Sequence, residues 1–314
     1  MTITPRRRDF LKAAAAIGGG AAIGAPLRAL AQGATPNFTL TPLTDTLFVA
    51  AGAGCNVLVG VEPDGLTLVD GGTQENAAAF LRFLAGETGQ TRVKTLFNTH
   101  WHLEQTGANE AARAAGANIV AHENTRLWMS HDFFVWWQDR HYPARPEAAQ
   151  PTEAFYDDWA GMFGQGALEA GYMLQPHTDG DIYVKFADAN VIASGGVGVA
   201  DGWPVIDWGA GGWIGGVLDG LQTLIDASDD QTRIVPTSGP VVSKADLEAQ
   251  HAMYSTIIQR LAELMRKGYG FAEVLAAKPT AEFDAEWGDS EQFITLAYRS
   301  IWGHIRNDRR VSTI

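Results

Sequence analysis

Residues 98–109 read NTHWHLEQTGAN, with His100 and His102 one residue apart and a carboxylate, Glu104, two positions further on. Imidazole nitrogen and carboxylate oxygen are the donors that a borderline cation such as Zn²⁺ takes. A His-x-His pair on the extended segment leaving a strand can turn both rings toward one ion. The next residue is Gln105, and an amide is a poor ligand for such a metal. The segment is readable as a working metal centre, as half of one, or as the remains of one.

The elements around it must hold it in place. VKTLF before the motif has the apolar, β-branched character of a buried strand. Upstream, LFVAAG, NVLVGVEP and GLTLVDGG read as short strands separated by Gly and Pro-Asp-Gly turns. QENAAAFLRFLAGET reads as a helix with Thr73 as N-cap and Phe80, Leu81 and Leu84 on one face. A second helix is expected over about Asn109 to Ala115, then a strand in ANIVAHENT. The alternation argues for a layered α/β domain.

Residues 126–166 read as an aromatic-rich loop insertion. Strands are expected again in YMLQPHTDGDIYVKF, NVIASGG and RIVP. Helices are expected from about Val217 to Ala227, from Lys244 to Lys267 with Gly268 closing it, and twice more in the last 45 residues, the second starting near Asp289-Ser290.

Composition sets the outer bounds. The chain has 314 residues, 46% of them hydrophobic, sufficient for one large α/β domain with a substantial core. PRRRDFLK carries a twin-arginine pattern (Arg7-Arg8), an Ala/Gly-rich stretch follows, and Ala29-Leu30-Ala31 forms a small-x-small cleavage site. Residues 1–31 read as a Tat-type signal peptide, which implies export to the periplasm through the Tat machinery. Without five basic residues and one acidic one, the mature chain has 18 Lys+Arg against 35 Asp+Glu, a net charge of −17. That balance disfavours nucleic acid, anionic lipid and polyanionic substrates, and after cleavage no stable membrane insertion is expected. The single cysteine, Cys55, rules out an internal disulfide and reads as a small buried residue.

Five stretches in order, LVDGG, THWHLEQTGAN, AHENT, HTDGD and PTSGP, together resemble the metallo-β-lactamase superfamily. The resemblance implies an αββα four-layer sandwich over residues 32–314, a single domain with its metal site at the loop edge of two packed sheets. It carries His100 and His102 to the first two ligands of the first metal site and His177 to the third. Three histidines with an open fourth position are a catalytic rather than a structural zinc shell. At the second site Glu104 and Gln105 replace the Asp and His of the family motif. Gly196 stands for the bridging Asp and Ser238 for the last His. One Zn²⁺ rather than two is the expectation.

Asp70 and Asp181 are expected to support the metal-binding loops, and Glu104 to act as general base or to buttress the backbone. Trp136, Trp137, Trp203 and Ser238 are weak candidates for the substrate pocket. The aromatic block serves equally as core filling or as an interface with a second copy. Three functions follow: a mononuclear zinc hydrolase opening esters, lactones or amides with a metal-bound hydroxide, a non-catalytic binding or partner protein on the same fold, and, last, a copper or iron site joined by Glu104. The substrate in the first case is a small molecule.

Overall fold

The computed structural model describes residues 37–306, and the expected export signal at 1–31 lies outside them. The first sheet runs, from edge to edge, β1 (Thr39–Pro42), β2 (Leu47–Ala51), β3 (Val57–Glu62), β4 (Gly65–Val69), β5 (Val93–Phe97), β6 (Asn118–His122) and β9 (Glu153–Phe155). β1 to β4 are antiparallel neighbours, and β4, β5, β6 and β9 pair in parallel. A separate hairpin pairs β7 (Phe133–Val135) with β8 (Arg140–Tyr142). The second sheet is ordered β10 (Asp158–Phe163), β11 (Gly166–Tyr172), β12 (Ile182–Phe186), β13 (Val191–Gly195) and β14 (Arg233–Pro236).

Side-chain alternation creates the layers. In β3, Leu58 points between the sheets with Val69, Phe97, Ile182, Val184 and Phe186, while Val57 and Val59 point outward onto Phe80 and Leu84 of α1 (Gln74–Thr88). Both faces of the strand are buried, so its sequence is apolar without a polar alternate. On the far side, Ile192 of β13 and Ile234 of β14 pack under α5 (Ile214–Asp226) and α6 (Lys244–Arg266). The result is the expected four-layer α/β sandwich, helices outside and two sheets inside. Helix α6 starts with a capping box between Ser243 and Asp246, and Gly268 just after its end adopts φ +84°, a conformation suited to glycine.

The structure departs from the sequence expectation in four places. Residues 126–166 are not a loop. They complete α4 (Glu123–Ser130), form the β7–β8 hairpin, and supply edge strands to both sheets, β9 and β10. Their aromatics misled because those strands have only three to six residues, too few for a clear alternation of buried and exposed positions. AHENT is split: His122 ends β6 and caps α4, its Nδ1 accepting from Asn124 N–H at 3.1 Å. Helix α5 begins at Ile214, three residues before the expected Val217. The C-terminal region has α7 (Phe271–Ala276), the four-residue α8 (Asp284–Trp287) and α9 (Glu291–Arg306), three helices where two were expected.

Candidate metal centre

The segment NTHWHLEQTGAN leaves the C-terminal end of β5 and is clasped at both ends. Asn98 and Asn109, both fully buried, exchange side-chain amides: Asn98 Nδ2 donates to Asn109 Oδ1 at 3.0 Å, and Asn109 Nδ2 to Asn98 Oδ1 at 2.7 Å. Asn109 Nδ2 also donates to Ala149 O at 2.8 Å. Between these clasps the chain forms α2 (Leu103–Thr106) and enters α3 (Asn109–Ala114).

Thr99 connects this loop to Asp70 at the end of β4. Its N–H donates to Asp70 Oδ1 at 2.8 Å, and its hydroxyl donates to the same carboxylate at 2.9 to 3.0 Å. That hydroxyl therefore accepts from His100 Nδ1–H, 3.0 Å away, which leaves His100 Nε2 as the ring nitrogen with a lone pair. Asp70 holds φ +63°, a left-handed conformation that Asp tolerates better than most residues. Burial pushes its carboxyl up to about 7, against the Thr99 hydrogen bonds.

His177 comes from the loop joining β11 to β12. Its Nδ1 lies 2.7 Å from Val205 O. A carbonyl only accepts, so Nδ1 carries the proton and Nε2 is bare. Asp181 fixes the loop from behind, accepting from His177 N–H at 2.7 Å, Thr178 N–H at 2.6 Å and the Thr178 hydroxyl at 3.0 Å. Burial nevertheless raises its carboxyl to about 8. His177 itself is pushed down to about 4 by burial and by the neighbouring His102.

His102 is oriented by Asp207, a residue of the segment after β13 that carries no recognisable motif. His102 Nε2 lies 3.0 Å from Asp207 Oδ2, and Asp207 is completely buried. Burial raises the Asp207 carboxyl, but the His102 hydrogen bond and charge outweigh it and hold it below the usual range. The remaining ring nitrogen, His102 Nδ1, faces His177 Nε2 at 3.1 Å. One ligand atom from each of His100, His102 and His177 lies within 4.8 Å of the others, the one such cluster of three among the described residues.

This donor set fits a metal ion. Outward hydrogen bonds tie up one nitrogen of every ring, and neutral imidazoles would point bare lone pairs at each other. A single shared proton could relieve one pair but not three. Metal–nitrogen bonds of about 2.0–2.1 Å place tetrahedral ligands roughly 3.3 Å apart, close to the 3.1 Å separation of His102 and His177. His100 is also driven well below the usual histidine range, first by burial and then by the two other rings. The inward nitrogens of His100 and His177 are thus held neutral and available as ligands.

The second-site positions are arranged differently. A Cβ on Gly196 would stand 2.7 Å from His177 Cγ, so the imidazole lies where a side chain would begin. Gln105 is buried in α2, and Ser238 is exposed on a loop held by Asn56, whose Nδ2 donates to Pro236 O and Gly239 O at 2.9 Å. Glu104 is exposed in the first turn of α2 and adds no atom to the histidine cluster.

Of the pocket candidates, Trp137 reaches the site: its indole N–H donates to Asp207 Oδ1 at 3.0 Å. Trp136 is exposed at the hairpin turn. Trp203 is placed elsewhere, stacked on Phe293 with ring centroids 4.7 Å apart and donating to Gly288 O, and is thereby part of the core under the C-terminal helices. Asp207 escaped sequence reasoning. Its one signal is that it is the sole charged residue in WPVIDWGAGGW, where burial demands a partner.

Comparison with known proteins agrees with this geometry. Three solved structures share the fold: a metallo-beta-lactamase from Pontibacter korlensis (18% identity, TM-score 0.56, covering 70% of this chain and 99% of that one), the DIM-1 metallo-beta-lactamase (14%, 0.55, 70% and 98%) and VMB-1 (16%, 0.55, 70% and 98%). The model of the Metallo-beta-lactamase superfamily matches residues 51–237, from β2 to the PTSGP loop and including all three histidines. By that match the chain belongs to the metallo-beta-lactamase superfamily.

Proposed function

We propose that this protein is an exported hydrolase that holds one zinc ion on His100, His102 and His177 and opens small carbonyl substrates, esters or lactones before amides. The observation that carries the reading is the convergence of three imidazoles whose outer nitrogens are already committed to Thr99, Asp207 and Val205. Such outer partners fix tautomer and ring orientation at metal sites. When bound, zinc polarises a carbonyl oxygen and acidifies water toward a pKa of about 7.

The chain's own groups do the rest. His102 and His177 stay oriented because their outward N–H groups have fixed acceptors. Glu104, two residues after His102 in the sequence and exposed, is the group to which this reading gives the proton transfer from water to the leaving group. A single ion on one side of the substrate leaves the departing group without a second cation, which favours leaving groups that need little help. The acidic mature chain, at −17, further disfavours phosphodiesters. The twin-arginine segment supports export to the periplasm in a folded state.

A second reading, a non-catalytic binding protein on this fold, is favoured by the replacement of all four second-site residues. Glu104→Gln separates the two. The hydrolase reading expects turnover of an ester or lactone panel to fall at least about 100-fold with metal content unchanged. Retained turnover would remove Glu104 from the mechanism, and no turnover in either protein would favour the binding reading.

A further inference from the structure

We propose that the β7–β8 hairpin is a positioning element of the metal centre, with Trp137 as its positioning residue, so that metal binding and hairpin order are coupled. The inference rests on the metal-site reading above but not on hydrolysis. Two independent contacts carry it.

The first runs through the turn of the hairpin. Trp137 Nε1–H donates to Asp207 Oδ1 at 3.0 Å, while the other oxygen of that carboxylate holds His102 Nε2 at 3.0 Å. Asp207 is fully buried, so each of its oxygens needs a donor. Its remaining support is Ala210 N–H at 3.3 Å. The indole therefore fixes the rotation of the carboxylate, and the carboxylate fixes the imidazole.

The second contact runs through the root of the hairpin. Trp101, the residue between the two ligands, is buried with its ring 4.3 Å from that of His102. Its other edges meet Phe133 of β7 at 4.8 Å and Tyr142 of β8 at 4.9 Å, both in edge-to-face geometry. Phe133 and Tyr142 stack on each other at 5.3 Å across the hairpin. Trp101, Phe133, Val135, Tyr142 and Ala210 thus form one small core that is distinct from the three cores of the sandwich.

A two-stranded hairpin is marginally stable by itself. Here its order depends on the same two residues, Trp101 and Asp207, that set His102. Coupling of this kind is reciprocal: whatever the hairpin contributes to metal affinity, the metal returns to the hairpin.

The test uses the mature chain, stripped of metal and titrated with Zn²⁺ against a competing chelator, and with Co²⁺ for its absorption spectrum. Trp137→Phe keeps an aromatic ring, smaller than the indole, and removes the N–H. Its zinc affinity is expected to fall about 10- to 100-fold, the range for lost outer partners, with an altered cobalt spectrum, and the metal-free chain is expected to unfold at lower urea because Asp207 Oδ1 keeps only the 3.3 Å Ala210 N–H. In the wild type, zinc is expected to slow amide exchange at residues 133–142, a measurement that needs no variant. Tight zinc binding with no effect of Trp137→Phe and no protection of the hairpin would overturn the coupling while leaving the metal site intact. Absence of zinc binding by the wild type would overturn both.

Discussion

His177 Nε2 and His102 Nδ1 face each other across 3.1 Å, while the opposite nitrogen of each ring is bonded outward, to Val205 O and to Asp207. Two neutral imidazoles in that arrangement repel. A cation between them, shared with His100, would convert the repulsion into ligation, so the three rings present a donor set that could hold an ion.

Asp207 is the outer partner whose loss should be felt most at the metal. Asp207→Asn keeps the shape and removes the charge facing His102. Zinc affinity, measured by chelator competition, is expected to drop about 10- to 100-fold. An unchanged affinity would mean that His102 is oriented by its packing on Trp101 alone.

Gly196 bears on the number of metals. Adding a Cβ there drives into the His177 ring, so Gly196→Asp should not rebuild a second site. Overpacking of this kind costs about 1–3 kcal/mol. The expected result is a protein less stable to urea by that amount and holding less metal, not more. Two metals per chain in this variant would show that His177 can move aside at little cost.

The paired amides of Asn98 and Asn109 should matter for stability rather than chemistry. Asn109→Ala leaves Asn98 Oδ1 and Ala149 O without these partners, and Asn98 Nδ2 with only the long 3.5 Å contact to Gln105 O. With each orphaned buried group costing about 1–3 kcal/mol, urea unfolding should show a loss of roughly 2–4 kcal/mol. A loss below about 0.5 kcal/mol would mean that water replaces the clasp.

Protonation should be resisted at the cluster. His177 is pushed down to about 4, so its ring should remain neutral through pH 6.5 and titrate near pH 4 when ring ¹⁵N shifts are followed in the metal-free chain. The unfolded chain binds that proton earlier, so this residue makes the fold less stable as pH falls from about 6.5 to 4. Asp70 and Asp181, pushed up to about 7 and about 8, act in the opposite sense. Their stabilising contribution is full below about 3.9 and fades as pH rises through those values. Site-resolved titration separates the two, and a His177 midpoint near 6.5 would contradict the buried, metal-ready cluster.

The sandwich was legible because β2 to β6 are short, apolar and punctuated by glycine turns, and because the His-x-His pair sits directly after one of them. His177 was reachable only through the HTDGD stretch. What stayed hidden depends on distant pairings. Asp207 meets His102 across 105 positions and Trp137 across 70, and no local period records such contacts. The β7–β8 hairpin was missed because its strands have three residues each and its turn, WWQD, lacks the Asn-Gly or Asp-Gly pair that marks tight hairpins.

The three-histidine site is read most directly by metal content per chain of residues 32–314 after folding in a bacterial host, beside His102→Ala. About one zinc is expected in the wild type, with a large loss in the variant. No metal in either protein, or the same content in both, would contradict it.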